Sequence, residues 1–322
     1  MTDTSAFVRA RRVAGACVAL AGLSACAGGT QSSQATIPTA GAAERGRIAA
    51  GLPARVSSTG TDFVSDFENE QVVLYPAGQS NPTPIGTIST APASPYQLAV
   101  DKHGTLYVQT NSNTILEYPP GATSPSVTLV EPPEKMYGTG VTVAVGDDGT
   151  VYAADLYGGD VFEFPKGATR PQTTIPLSGS FGLAVDKKNT LFISSNPGDT
   201  GGSGLVWYLP SGSTQYKSTN IKIQEIGGLA VSKSHLLVGD QGAQTITVYN
   251  EKSYKLERTI SVAPNYPYQF ALDHTGTDLY VAGPTGGGIV IYDFASGTQI
   301  GTITQGLGSA TEGVAVSPPA PI

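Results

Sequence analysis

The sequence predicts an all-β fold, a six-bladed β-propeller of four-stranded antiparallel blades, and three observations carry that expectation. A small-residue strand returns six times with an Ala at Ala99, Ala144, Ala184, Ala230, Ala271 and Ala315, 40 to 46 residues apart, which is the period of a propeller or solenoid. Each full interval holds four short strand patterns separated by turn residues, the content of one blade. The two ends of the array are unequal and complementary: three strands precede the first complete unit and one lone strand follows the last. Together they make a sixth blade, so the C-terminal strand is expected to complete the N-terminal blade and cover edges that would otherwise invite aggregation.

Within each unit, strand A is expected at 97–100, 142–145, 182–185, 228–231, 269–272 and 313–316. A turn rich in Asp, Gly, Lys and Asn follows, as in Asp101-Lys102-His103-Gly104 and Asp186-Lys187-Lys188-Asn189. These residue types suit the tight geometry between antiparallel strands. Strand B is expected at 106–109, 151–154, 191–194, 236–239 and 279–282, and strand C at 115–118, 161–164, 205–209, 246–249 and 289–292. Strand D ends at Leu129, Ile175, Ile223, Ile260 and Ile303. The N-terminal orphans are a B strand near 63–65, a C strand at 72–75 and a D strand at 84–88. The small residues of strand A alternate with Leu, Val or Phe, a pattern expected to pack one blade against the next.

The beginning of the chain reads differently. Arg9, Arg11 and Arg12 precede an apolar stretch at 13–23, the charge and length of a secretory signal. It closes on Leu23-Ser24-Ala25-Cys26, which resembles a bacterial lipobox. That resemblance implies a signal peptide at 1–25, lipidation of Cys26, and a protein anchored to a membrane of the bacterial cell envelope without spanning it. Ala27 stands where an Asp would imply inner-membrane retention, so the outer membrane is favoured for a Gram-negative source. Cys17 would leave with the signal and Cys26 would carry lipid, so no disulfide is expected. Residues 26–58 are the lipidated Cys and a low-complexity tether of Gly, Ser, Thr, Ala and Gln, too poor in large apolar residues to fold alone. As a coil, such a tether spans roughly 30 Å. The propeller is expected over 59–317, with a C-terminal tail at 318–322.

The net charge of −7 argues against nucleic acid as a partner. Strand order divides that charge between two faces: links from D to A and from B to C form a top face, and links from A to B and C to D a bottom face. The top loops carry Asp66, Glu68, Glu70, Glu131, Glu134, Asp155, Asp160, Asp199, Glu225, Asp240 and Glu312 against a single cation, Lys135. On the bottom loops ten cations nearly cancel nine acids. An acidic top face attracts cations or basic partners. No resident cofactor is expected, and a divalent cation is what such a face could hold. The mouth of the axis adds Tyr96 and Gln97 and their repeat Tyr268 and Gln269, aromatic faces beside amides that suit a sugar or peptide or plug the channel. The candidate binding residues are therefore Tyr96, Gln97, Asp155, Glu225, Asp240, Tyr268, Gln269 and Glu312, in a chain expected to be a monomer whose partner is a protein, peptide or carbohydrate.

Leu98-Ala99-Val100-Asp101 followed by Gly104 and Leu106-Tyr107-Val108 resembles NHL-like and YVTN-like six-bladed propeller proteins. The resemblance covers about residues 61–317 and implies a fold rather than a function. Gluconolactonase-type hydrolases share the architecture and hold a divalent metal through Glu, Asn and Asp. Glu312-Gly313 is similar to their opening Glu, but the other mouth positions, Tyr96, Val141, Phe181, Gly227 and Tyr268, offer no Asn or Asp. Virginiamycin B lyase uses His with Glu, whereas His103, His235 and His274 fall in A-to-B turns on the opposite face. No nucleophilic triad, phosphate loop, zinc pair or calcium loop is recognisable. A binding or interaction module is expected, with a metal-dependent hydrolase or lyase using Glu312 and Glu225 as the alternative.

Overall fold

The computed structural model describes residues 60–132, 140–156, 158–196, 203–283 and 287–320. The chain divides into two units, Met1–Ala54 and Arg55–Ile322, and all the described residues belong to the second. The expected signal segment, Cys26, the tether, Glu134, Lys135 and Asp199 lie outside them.

The described residues form 24 strands in six four-stranded antiparallel sheets. Blade 1 contains β1 (Thr61–Asp66), β2 (Gln71–Pro76) and β3 (Gly86–Ser89). Blade 2 contains β4 (Pro95–Val100), β5 (Leu106–Thr110), β6 (Thr114–Tyr118) and β7 (Val127–Val130). Blade 3 follows with β8 (Gly140–Val145), β9 (Val151–Asp155), β10 (Asp160–Phe164) and β11 (Thr173–Pro176). Blade 4 is β12 (Ser180–Val185), β13 (Leu191–Ser195), β14 (Gly204–Leu209) and β15 (Lys217–Ile223). Blade 5 is β16 (Ile226–Ser232), β17 (His235–Asp240), β18 (Thr245–Asn250) and β19 (Leu256–Ser261). Blade 6 is β20 (Gln269–Leu272), β21 (Asp278–Ala282), β22 (Ile289–Asp293) and β23 (Gln299–Ile303). The last strand, β24 (Val314–Ser317), is the inner strand of blade 1.

Closure is a register of four pairs, from Thr61↔Ser317 to Val64↔Val314. Two further backbone bonds extend it, Ser65 N to Gly313 O at 3.0 Å and Phe67 N to Ala310 O at 3.1 Å. Glu68 fastens the loop leading into β24, accepting from Ser309 N at 2.9 Å and Ser309 Oγ at 2.6 Å. These bonds hold the Glu68 carboxyl below its ordinary pKa.

The strand pairing explains why the repeat carries Ala. Each repeat Ala lies opposite the second core position of its neighbouring B strand, which is aromatic in five blades: Ala99↔Tyr107, Ala144↔Tyr152, Ala184↔Phe192, Ala271↔Tyr280 and Ala315↔Phe63. A small side chain leaves room for the ring. Blade 5 has Leu237 opposite Ala230. The A-to-B hairpins are set by Asp side chains that cap the turn. Asp101 Oδ1 accepts from His103 N and Thr105 N, both at 2.8 Å, and Asp186 Oδ1 from Lys188 N at 2.8 Å and Thr190 N at 2.7 Å.

Burial is organised by seam. Six apolar clusters each fill the gap between adjacent blades, for example Val72, Ile88, Leu98 and Leu106 between blades 1 and 2, and Val64, Tyr75, Ile289 and Ile303 between blades 6 and 1. One core position breaks the pattern. The first residue of the B-strand core is Leu106, Val151, Leu191, Leu236 and Leu279 in five blades, each paired with an apolar residue of strand A. Blade 1 has Asp62 there, opposite Val316 and fully buried.

Candidate functional site

At the top of the axis the A strands of blades 1 and 2 approach closely enough to leave no room for a side chain at Gly313. A Cβ on Gly313 would lie 2.6 Å from Tyr96 O and 2.9 Å from the Gln97 Cα. Register shifts at 95/98, 140/142, 180/183 and 226/229 bend four A strands at this level, as bulges do. Tyr96, Gln97, Tyr268 and Gln269 meet here, as their repeat suggests. Gln269 reaches past blade 1 to blade 2: its Oε1 accepts from Leu98 N at 3.0 Å and Val314 N at 2.9 Å, and its Nε2 donates to Leu98 O at 2.5 Å. Gln97 Nε2 donates to Tyr268 O at 3.2 Å. Both glutamines are buried, and these amide bonds tie blades 1, 2 and 6 together. The half-buried rings of Tyr96 and Tyr268 pack on Phe67 and Phe181, at centroid distances of 5.1 and 5.3 Å. Along the axis the six A strands line an open space of about 160 Å3, which Gln269, Pro319 and Ala320 also border.

The acidic residues of the top loops divide into two groups. Asp66, Glu131, Asp155, Asp160 and Asp240 are buried. Three of them end a B strand, where an Asp can cap the following turn. Asp155 Oδ1 accepts from Gly158 N at 2.7 Å, and a Cβ on Gly158 would lie 1.9 Å from Asp155 Oδ2. Asp240 receives Gln224 N at 2.7 Å, Glu225 N at 3.1 Å and Ala243 N at 3.0 Å. Asp66 Oδ2 receives Asn69 Nδ2 at 2.8 Å and Gln71 Nε2 at 3.0 Å. The outward-facing acids are Glu68 and Glu225, which are exposed, and Glu70 and Glu312, which are half-buried. A charge count from sequence treats all these carboxylates as surface, because it registers residue type and not the backbone amides a strand-end Asp gathers. Asp240 and Glu225 adjoin through the main chain, whereas Asp155 caps a separate loop in blade 3. Among the described residues, no three His, Cys, Asp or Glu side chains are grouped to hold a metal.

On the bottom face the seam of blades 4 and 5 opens into a cleft of about 300 Å3. Blades 2 and 3 pair a B-strand Tyr with a C-strand Glu, Tyr107↔Glu117 and Tyr152↔Glu163. In blade 4 the equivalent pair is Phe192↔Tyr208. Tyr254 joins it from blade 5, in a turn pinned by Asn250, whose carbonyl accepts from Tyr254 N at 2.8 Å and whose Oδ1 accepts from Lys252 N at 3.2 Å. The Tyr254 ring is 5.8 Å from Tyr208 and 6.4 Å from Phe192, edge-on to the latter. Asp186, Glu251, Lys188 and Lys252 complete the walls. Burial pushes the Glu251 carboxyl above its usual pKa, Asp186 adds to this as hydrogen-bond partner and like charge, and the two lysines oppose it. Sequence reasoning passed over this site because Tyr254 stands in a loop and reaches across a blade boundary. The legible signal was the ring of Tyr208 at a C-strand position that holds Glu in blades 2 and 3 and Leu74, Val248 or Ile291 in blades 1, 5 and 6.

No family model matches the chain, and no curated protein matches it. Solved structures do. A chain from the crystal structure of a nidogen/laminin complex is similar, with a TM-score of 0.65, 14% identity, and coverage of 80% of this chain and 98% of that one. A protein of unknown function from Bacteroides caccae gives a TM-score of 0.59 at 11% identity, covering 80% of this chain and 99% of its own. Likeness at such identities speaks for the fold, and function must be argued from this chain's own surfaces.

Proposed function

We propose that this protein is an exported binding module, held to a bacterial envelope membrane by lipid on Cys26, that engages a basic partner through its acidic top loops. The observation that carries this reading is one of charge: among the described residues, the loops of the top face contain no Lys, Arg or His, while Glu68, Glu225, Glu70 and Glu312 face outward there. A surface of one sign speeds encounter with an oppositely charged partner and loses that advantage as salt rises. The ring supports it, because the inner strands of blades 6, 1 and 2 are tied by amide bonds beneath the loops, and preorganised loops bind at lower entropic cost. Lipid on Cys26 would bring that surface to a membrane.

Titration with octalysine as a defined basic probe tests the face. Saturable binding that weakens with salt is expected, with about tenfold loss in Glu70→Lys/Glu225→Lys, while Glu257→Lys on the bottom face leaves it unchanged. Equal loss in both variants would overturn the assignment. Mass spectrometry of the membrane fraction tests the anchor: acyl mass on Cys26 is expected and its loss in Cys26→Ser. An unmodified Cys26 would remove that part of the reading.

A further inference from the structure

The cleft between blades 4 and 5 lies on the face opposite the proposed partner surface. Its lining selects a chemistry. Two carboxyl groups and two ammonium groups face one opening, so net charge favours neither an anion, which would meet Asp186 and Glu251, nor a cation, which would meet Lys188 and Lys252. A purely apolar ligand would desolvate all four without replacing their hydrogen bonds. Yet three aromatic rings line the cleft, with Tyr208 and Tyr254 half-buried and so presenting surface to it. The ligand that meets both demands is neutral, with an apolar face for the rings and an array of groups that both donate and accept. A pyranose has such C–H faces and such hydroxyls.

We infer that this cleft is a saccharide-binding site, in which a neutral sugar ring stacks on Tyr208 or Tyr254 and shares its hydroxyls among Asp186, Glu251 and Lys252. Its volume sits at the lower end of the roughly 300–1,000 Å3 of small-molecule sites, which fits one or two sugar units. Burial and then Asp186, as hydrogen-bond partner and like charge, raise the pKa of Glu251, so the two carboxyl groups stand side by side in the wall where one sugar can reach both. The blade-to-blade comparison points the same way. That C-strand position holds Glu in blades 2 and 3 and an aliphatic residue in blades 1, 5 and 6, and blade 4 places a ring there.

Saturation-transfer difference NMR on the intact protein, with maltose, cellobiose, chitobiose and lactose as probes, decides the matter. Transfer to the C–H protons of at least one of them is expected, and its loss in Tyr208→Ala and in Tyr254→Gly. The second variant guards against unfolding, because Tyr254 has a φ of 54°, a conformation glycine adopts without strain, which offsets part of the lost ring packing, so a cooperative unfolding transition should remain above the assay temperature while its signal disappears. No transfer from any of the four sugars, or transfer that survives in both variants, overturns the assignment. Displacement of a bound sugar by tetramethylammonium would overturn the chemical class, marking a cation cage instead.

Discussion

Asp62 stands where five other blades bury Leu or Val, fully buried with the Tyr280 hydroxyl beside its carboxyl. Burial raises its pKa from 3.8 to about 7, the nearby Tyr280 hydroxyl offsets part of this, and Asp273 and Asp278 add repulsion. The folded state therefore holds a proton that the unfolded chain releases near pH 4. Stability is fully present below about pH 3.8 and falls as pH rises to about 7, beyond which this group contributes no further slope. The difference corresponds to about 4 kcal/mol. Urea denaturation at several pH values should show that decline in the wild type and its absence in Asp62→Asn; an identical slope in both would contradict the assignment. Gln269 makes a second residue-scale prediction. Gln269→Leu leaves Leu98 N and Val314 N buried without partners, at about 1–3 kcal/mol each, so a loss of about 3 kcal/mol is expected in the same assay. A loss below about 0.5 kcal/mol would mean that water replaces the amide. Neither role was legible in sequence: Asp62 is one letter in a degenerate first unit, and an amide at a channel mouth looks the same whether it meets a ligand or another blade's strand.

At the scale of the strand, far more was legible. The A, B and C strands of the full units were foreseen to within a residue or two, because their inward side chains repeat and their turns carry Asp with Gly or Asn at positive φ, as at Gly104, Gly149, Asn189 and Gly276. The outermost strands were less clear. β3 begins at Gly86 rather than Pro84, since an edge strand exposed on one side carries little apolar signal and Pro lacks the amide a ladder needs. The repeat Ala itself gains a physical reason from its pairing with an aromatic residue. Ala99→Leu would force a branched side chain against Tyr107, and about 1–3 kcal/mol of destabilisation is expected by thermal or urea unfolding. An unchanged midpoint would show that the seam of blades 2 and 3 has slack. Turn-capping by Asp240 likewise belongs to the element: Asp240→Ala removes the acceptor for three backbone amides and should cost about 2 kcal/mol, which marks it as a poor choice for probing a binding surface.

Across the whole ring, closure converts six separate seams into one cooperative structure. Blade 1 borrows β24, so a chain ending after Ala310 would expose the edge of β1 and part of the core beside Tyr75 and Tyr280. Such a chain is expected to lose its single unfolding transition and to elute as oligomers on size exclusion; a monomer of undiminished thermal midpoint would show that the N-terminal blade stands without its inner strand. Shape was legible because every blade must solve the same packing problem. Function was less so, because it rests on loops that differ between blades and on side chains that reach across a seam. Hydrogen–deuterium exchange with and without octalysine tests the binding reading most directly. Slowed exchange confined to the top loops around residues 67–70, 224–225 and 304–313 is the predicted result, and slowing at the A-to-B hairpins instead would contradict it.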